Sequence, residues 1–512
     1  MPSASPRSIS VDHCRGLAIL GMSWSGMVPY ETLPAWMYHA QLPPPSREFN
    51  PNVYGITWVD LVFPLFLFCL GVAIPFALGG RLEKGDSPRS VAWDVVSRGF
   101  GLAIFALLGQ HLRPYVMEGS PKAGTWGLAL LGFVALLLVF VRLPATWSRR
   151  AVIGARGAGY ALAAGIILTH AYPDDTTGFA NYRNDVILMV LANVAVSGGL
   201  IWLFTRSRPW VRALCAAAVT LIILGATRPG LAKFIWDWEP WHLLSKGHFP
   251  GWFDLGEFMK SMGWPDRWKP ILYHFEYHKY LLIVLPATFV GEWLRAPREA
   301  IVTPRRKAWA LAAVTGAMLL VAFWGFTVRH HENPTFPAFT DLWKALEAGE
   351  WVSRPVVVAS LALVGLYGLA FRIAERPELR RMLALGFGLL VIGLLAEPLG
   401  GGGLRKDPPT LSYFWMTSAL SIALIATFES LFEAKSEAWN GGWLAACGQN
   451  PILAYIAITN VIPAVTGLTQ LNDKLADLSM DPWFQTGWGL VKSLMVVAFA
   501  AWLTRKRVVM RA

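Results

Sequence analysis

His39 and Asp60 flank a proline-rich polar loop, HAQLPPPSREFNPNVYGIT, which leads into the apolar segment WVDLVFPLFLFCLGVAIPFAL. A neutral imidazole at that place can act as a base, a nucleophile or an acyl carrier near neutral pH. Beside Trp36 and Tyr38 it can equally serve as a polar residue at a membrane interface. Asp60 falls in the first turn of the helix predicted for the apolar segment, where the helix dipole favours its negative charge without any partner. A carboxylate at membrane depth is nevertheless costly and usually has an assigned partner. His39 is the nearest candidate in sequence, across a loop that can fold back. Such a pair has a definite chemistry, in which the acid orients the imidazole and stabilises its charged form.

Other constellations are less specific. Asp12 and Arg15 bracket the start of the first apolar segment, either as a local ion pair or as an anchor for a phosphorylated cofactor. The run EPLGGGGLRKDPPTLSY places Glu397, Arg405, Lys406 and Asp407 at the mouth of a later segment, with glycines that let backbone amides approach a ligand. These glycines fit no phosphate-binding motif. His274 and His278 are four apart with Glu276 between them, but two ligands on one face make a poor metal site, and no metal is expected. GMSWSG, with Gly21, Ser23, Ser25 and Gly26, looks like a nucleophile elbow without the strand-to-helix context that such an elbow needs. Cys14, Cys69, Cys215 and Cys447 lie in or beside apolar segments at unrelated spacings, as buried free thiols do.

The elements that must position these residues are membrane helices. The chain has 512 residues, 54% of them hydrophobic and 15% charged, with 25 Trp, and its mean hydropathy is +0.43. That is more apolar surface than a soluble core of this size hides. Apolar segments recur from end to end, each sized for a hydrocarbon core roughly 30 Å thick. The expected fold is all-α, one integral membrane domain over residues 1–512 with roughly 11 to 14 transmembrane helices. The segments are 14–31, 58–79, 92–112, 125–141, 152–170, 185–205, 211–228, 279–296, 308–327, 354–373, 382–399, 411–432, 445–467 and 484–504.

The net charge of +12 sits in short clusters in alternate loops, around Arg81, Arg149, Arg206, Arg305, Arg380 and Lys506. This pattern fits the positive-inside rule and not a nucleic-acid surface. It places those loops and both termini in the cytoplasm, as in a bacterial inner membrane. The first apolar segment carries no small-residue cleavage site and is expected to be retained. Residues 229–278 form the largest outer loop, rich in Trp among charges, which suits a segment along the interface or a platform for stacking carbohydrate.

SVDHCRGLAILGM, AWMYHA and GITWVDLVFPLFLFCLGVAIPFALGGRLEKG, in that order, closely resemble the amino-terminal part of the heparan-alpha-glucosaminide N-acetyltransferase family and its bacterial relatives labelled DUF5009. Weaker echoes follow in HKYLLIVLPATFVGEW, LRKDPPTLSYFWMTSALS and GQNPILAYI. The resemblance implies transmembrane acyl transfer, with acetyl-CoA entering from the cytoplasm and its acetyl group reaching a sugar amine outside. It implies His39 as the catalytic histidine and Asp60 as the acid of the DLVFP motif. Lys406 and Ser412 fall on the family's late Lys and Ser pattern, and Asn450 on its late Gly-x-Asn; with Asp12 and Arg15 these are the candidate donor-binding residues. The chain departs from the human-type members in its longer proline-rich insert after His39, in Ser25 or Gly26 where they carry an asparagine, and in lacking their large lumenal domain.

The reading that follows is an acetyltransferase acting on an amino sugar or other envelope glycan, with acetyl-CoA as donor. A charged thioester cannot cross lipid, whereas a two-carbon acyl group can be handed across a thin polar pore. His39 either carries the acetyl group or deprotonates the acceptor. Two rivals remain: O-acetylation of a glycan hydroxyl, and a transporter or flippase for a polar or lipid-linked solute. Expected partners are the bilayer, acetyl-CoA, the glycan and a second copy of the chain, with no nucleic acid.

Overall fold

The computed structural model describes residues 7–30, 33–44, 46–144, 146–174, 177–238, 275–296, 304–327, 355–399, 403–433 and 442–511. Every apolar segment expected above is helical. The helices are α1 (Ile9–Ser25), α2 (Trp58–Glu83), α3 (Pro88–His111), α4 (Ala123–Phe140), α5 (Arg149–Thr169), α6 (Val186–Thr205), α7 (Pro209–Gly225) and α8 (Leu281–Arg295). They continue with α9 (Arg305–Phe326), α10 (Pro355–Ile373), α11 (Pro377–Leu395), α12 (Leu411–Glu433), α13 (Gly442–Gly448), α14 (Pro451–Leu468) and α15 (Pro482–Arg505). Among the described residues ten of these, α2 to α6, α9, α10, α12, α14 and α15, are long and apolar enough to cross a membrane. The chain is an all-α polytopic membrane protein, as hydrocarbon demands of a backbone whose polar groups must be satisfied internally. Most of the Trp-rich loop, residues 239–274, lies outside the described residues, and His274 with it.

One expected helix is two. The segment 445–467 breaks between α13 and α14, where Asn450 leaves the helical region (φ −133°, ψ 58°) and Pro451 opens the next helix. Proline lacks an N–H and pushes its predecessor out of the α region, so a break falls there. α14 itself contains a π-helical turn at Ala457–Val461.

Long-range contacts show the alternation of the helices. At one end, Ser10 of α1 and Arg376 before α11 both reach Glu429 near the end of α12. Arg295 at the end of α8 pairs with Glu83 at the end of α2, and Lys307 opening α9 pairs with Glu375 after α10. At the other end, the Ile56 N–H before α2 donates to Phe326 O closing α9 at 3.0 Å. Trp24 near the end of α1 donates to Thr486 O in the first turn of α15 at 3.1 Å. The basic clusters around Arg81, Arg305 and Arg380 therefore share one end of the bundle and His39 stands at the other. α12 is the most enclosed of the ten spans, and α8 lies along α2 for much of its length.

Candidate active site at the start of α2

Thr57 caps α2, and Asp60 occupies the third helical position, from which its carboxylate reaches back to the cap. Asp60 Oδ2 accepts the Thr57 N–H at 2.9 Å and the Ala40 N–H at 3.1 Å. Thr57 Oγ1 has one proton and gives it to Tyr38 O at 2.6 Å, so these hydrogen bonds tie both sides of His39 to the start of α2. Asp60 Oδ1 lies 2.7 Å from His39 Nδ1. The Asp60 side chain is fully buried, whereas that of His39 is 35% exposed.

The tautomer follows from chemistry. A carboxylate only accepts, so Nδ1 carries the proton toward Asp60 and leaves the Nε2 lone pair open. The 3.0 Å approach of Lys406 Nζ to Nδ1 brings two donors together and is a packing contact. Its ammonium is held by the charge of Asp60 Oδ1 at 3.9 Å and lies 3.5 Å from Nε2. An open imidazole nitrogen beside a fixed cation can attack or deprotonate while the cation meets negative charge on a neighbouring oxygen.

The proline-rich insert has a structural task. Arg47, whose backbone is left-handed (φ 53°), lies over the rings of Tyr30 and Tyr38 at 4.7 and 4.4 Å and donates to Tyr38 Oη at 2.9 Å. The far end of the insert grips the segment that carries Lys406. The Gly55 N–H donates to Leu404 O at 2.7 Å, and Arg405 Nη1 donates to Pro51 O at 2.7 Å. Gly403 (φ +76°) packs so closely on Tyr54 that any Cβ would overlap the ring. From below, Tyr413 Oη in the first turn of α12 donates to the Asp60 carbonyl at 2.8 Å.

At the basic end a cavity of about 840 Å³ opens between α1, α2, α3, α6 and α14, a size usual for small-molecule sites. Arg7, Arg15, Arg81, Lys84, Arg98 and Arg511 bring cations to it, and Phe66, Leu70 and Phe76 give it an apolar wall. Asp12 and Arg15 both line it, 3.6 Å apart. Arg15 also donates to Gly448 O at 3.2 Å and Cys69 O at 3.3 Å, pinning α1 to α13 and α2.

Not every candidate lies at a site. Asn450 donates to Val508 O at 2.8 Å and accepts from the Met510 N–H at 3.1 Å, so it ties down the terminal segment while its neighbour Pro451 and residues Met510 and Arg511 line the cavity. Ser412 is fully buried in the first turn of α12 and lines neither the basic cavity nor the second cavity described below. Lys406, read from sequence with the donor-binding group, stands instead beside His39, at the opposite end of the bundle from Asp12 and Arg15. Ser25 bonds back to Met22 O at 3.0 Å. All four cysteines are free thiols, Cys215 half-buried and the others buried.

His39 does not line the basic cavity. The cavity reaches Met22 on α1 and Phe66 on α2, and Phe66 is about 9 Å of helix rise from Asp60. In that interval α1 and α2 close on each other. Gly21 packs against Val62, and the Trp24 and Trp58 rings lie 5.0 Å apart.

Residues 7–252 match a family model described as a domain of unknown function, DUF5009. The matched region contains Asp12, Arg15, His39 and Asp60 but not Lys406. No curated protein matches the chain.

Proposed function

We propose that this protein is a transmembrane acetyltransferase that takes an acetyl group from acetyl-CoA at the basic, cytoplasmic end and delivers it to an amino sugar or other glycan at the end where His39 stands. The observation that carries this reading is the His39 imidazole, held by a buried carboxylate with Nε2 open beside Lys406. The basic cavity supports it, because a phosphorylated nucleotide donor needs cations and its thioester arm needs an apolar wall. The resemblance of the amino-terminal blocks points the same way.

Two chemical routes fit the geometry. In the first, Nε2 attacks the thioester carbonyl and the C–S bond breaks; the acceptor amine then displaces the imidazole from the acetyl group, and the proton it loses balances the one taken up by the thiolate of CoA. In the second, Nε2 removes the amine proton as the amine attacks the thioester directly, and CoA again leaves as its thiol. Lys406 faces the oxyanion in either route. Both require the seam between α1 and α2 above Phe66 to part so that the thioester arm reaches His39.

A second reading, a transporter, is favoured by one observation: α14, which follows the break at Asn450 and carries the π-helical turn, contributes Ile458 to both the basic cavity and the second one, and interrupted helices suit alternating access. The two readings separate in one experiment. Purified protein with radiolabelled acetyl-CoA and a panel of amino sugars releases free CoA in step with acetylated product if it is a transferase; solute flux in vesicles without CoA release overturns that. A base-stable amide product supports transfer to an amine, and a base-labile ester supports the O-acetylation variant.

A further inference from the structure

A second cavity, of about 440 Å³, opens between the end of α1, the π-helical turn of α14, α15 and the short turn at Pro114–Met117. None of its lining residues belongs to the His39 site or to the candidate donor-binding group. Ser23 on α1 and Gly26, which caps its end, face it, while Trp24 between them packs on Trp58 of α2.

Two features of its wall call for a ligand. Lys492 stands about 15 Å along α15, well inside a helix long and apolar enough to cross a membrane, where a lysine is rare and functional by default. Among the described residues no carboxylate lies within 4 Å of its ammonium; Asn472 Oδ1 receives it at 3.4 Å, and the Trp488 ring centroid lies at 5.7 Å. Ser23 is fully buried, and among the described residues its hydroxyl has no partner. A helical serine ordinarily bonds back to the preceding turn, as Ser493 does here to Gly489 O at 2.9 Å, so a hydroxyl left open into a cavity is a polar group awaiting an occupant.

The surroundings supply the rest. Arg113 brings a second cation to the wall, a guanidinium fixed by Asp185 and by Tyr455 Oη at 3.0 Å. Tyr115, more than half exposed, offers a ring at the rim. π-helical turns inside α-helices gather at functional sites, and the one here contributes Thr459 to the lining.

We infer that this cavity is a binding site for an anionic group, a carboxylate or phosphate ester, received by Lys492 and Ser23 and distinct from both the basic cavity and the His39 site. The charge of Lys492 selects an anion, and the small volume limits the buried part to a single sugar-sized or headgroup-sized moiety. That moiety comes either from a soluble anionic solute or from an anionic lipid.

The test uses the delipidated full-length protein in detergent and matched pairs of probes: glucose 6-phosphate against glucose by calorimetry, and phosphatidylglycerol against phosphatidylcholine by native mass spectrometry. Saturable binding of the charged member of either pair, with its neutral partner unbound, is expected, and the pair that responds identifies the source. Lys492→Met should weaken that binding at least tenfold, Lys492→Arg should keep it within about threefold, and Ser23→Ala should weaken it severalfold. Acetyl-CoA affinity should be unchanged in all three, which separates failure here from failure of the acetyltransferase reading. Equal binding of charged and neutral probes, no binding of either anion, or wild-type binding in both Lys492→Met and Ser23→Ala overturns the inference. Should Lys492→Met fail to fold, Ser23→Ala and Lys492→Arg decide between these outcomes.

Discussion

Lys406 Nζ stands 3.0 Å from His39 Nδ1 although 367 positions separate the two residues in the chain. The approach is tolerable because both groups share the buried Asp60 carboxylate, 2.7 Å from the imidazole and 3.9 Å from the ammonium. Two donors gathered on one acid leave Nε2 as the acceptor of the ring, with the Lys406 ammonium 3.5 Å away.

Asp60→Asn should lower acetyl transfer by about 10²- to 10⁴-fold, because an amide no longer dictates which imidazole nitrogen carries the proton. Acetyl-CoA binding at the other end of the bundle should be unaffected. Single-turnover transfer and equilibrium binding measured on the same preparation check this. An unchanged rate would reduce Asp60 to a helix-capping residue.

Replacing Lys406 with Met should reduce the transfer rate about 10²-fold if the ammonium meets the developing oxyanion, while Lys406→Arg, which keeps the charge, should retain a measurable part of it. Comparable rates in Met and wild-type proteins would assign the lysine to structure alone.

Gly403→Ala tests the coupling of the insert to the site. Its backbone is left-handed, and a Cβ would run into Tyr54, so the substitution should cost about 1–3 kcal/mol and lower the thermal midpoint. Displacement of the adjoining Lys406 should slow transfer with acetyl-CoA affinity intact. A midpoint and rate equal to wild type would show that the segment is not held by this contact.

The cavity cations carry a separate prediction. No carboxylate lies within 4 Å of Lys84 or Arg98 among the described residues, unlike Arg81, which is held by Asp86 and Asp94. Lys84→Gln with Arg98→Gln should raise the acetyl-CoA dissociation constant at least tenfold, about 1.4 kcal/mol, and flatten its salt dependence. Unaltered affinity would move the donor elsewhere.

Much of this architecture was legible in the sequence because hydrocarbon thickness sets segment length, so fourteen apolar runs marked α1 to α12, α14 and α15, most of them to within a few residues, although α1 begins five residues earlier and ends six earlier than the run 14–31. The break at Asn450 was not drawn, although Pro451 signalled it. His39 and Asp60 could be paired because a single loop joins them, and the structure makes that pair. The place of Lys406 was hidden by its distance along the chain, as was the use of Pro51, Tyr54 and Gly55 to hold its segment. Asn450, assigned to the donor, instead ties down Val508 and Met510, a contact no local pattern displays. Ser23 belonged to a motif set aside for want of a strand, and only the packing of α14 and α15 around it shows that its hydroxyl faces a cavity beside Lys492.

The most direct measurement is acetyl transfer by His39→Gln, with acetyl-CoA affinity and thermal midpoint measured on the same sample. A loss of at least 10³-fold in transfer, with affinity and midpoint near wild type, is the predicted result. Wild-type turnover in a folded His39→Gln protein would contradict the assignment of His39 as the group that handles the acetyl transfer.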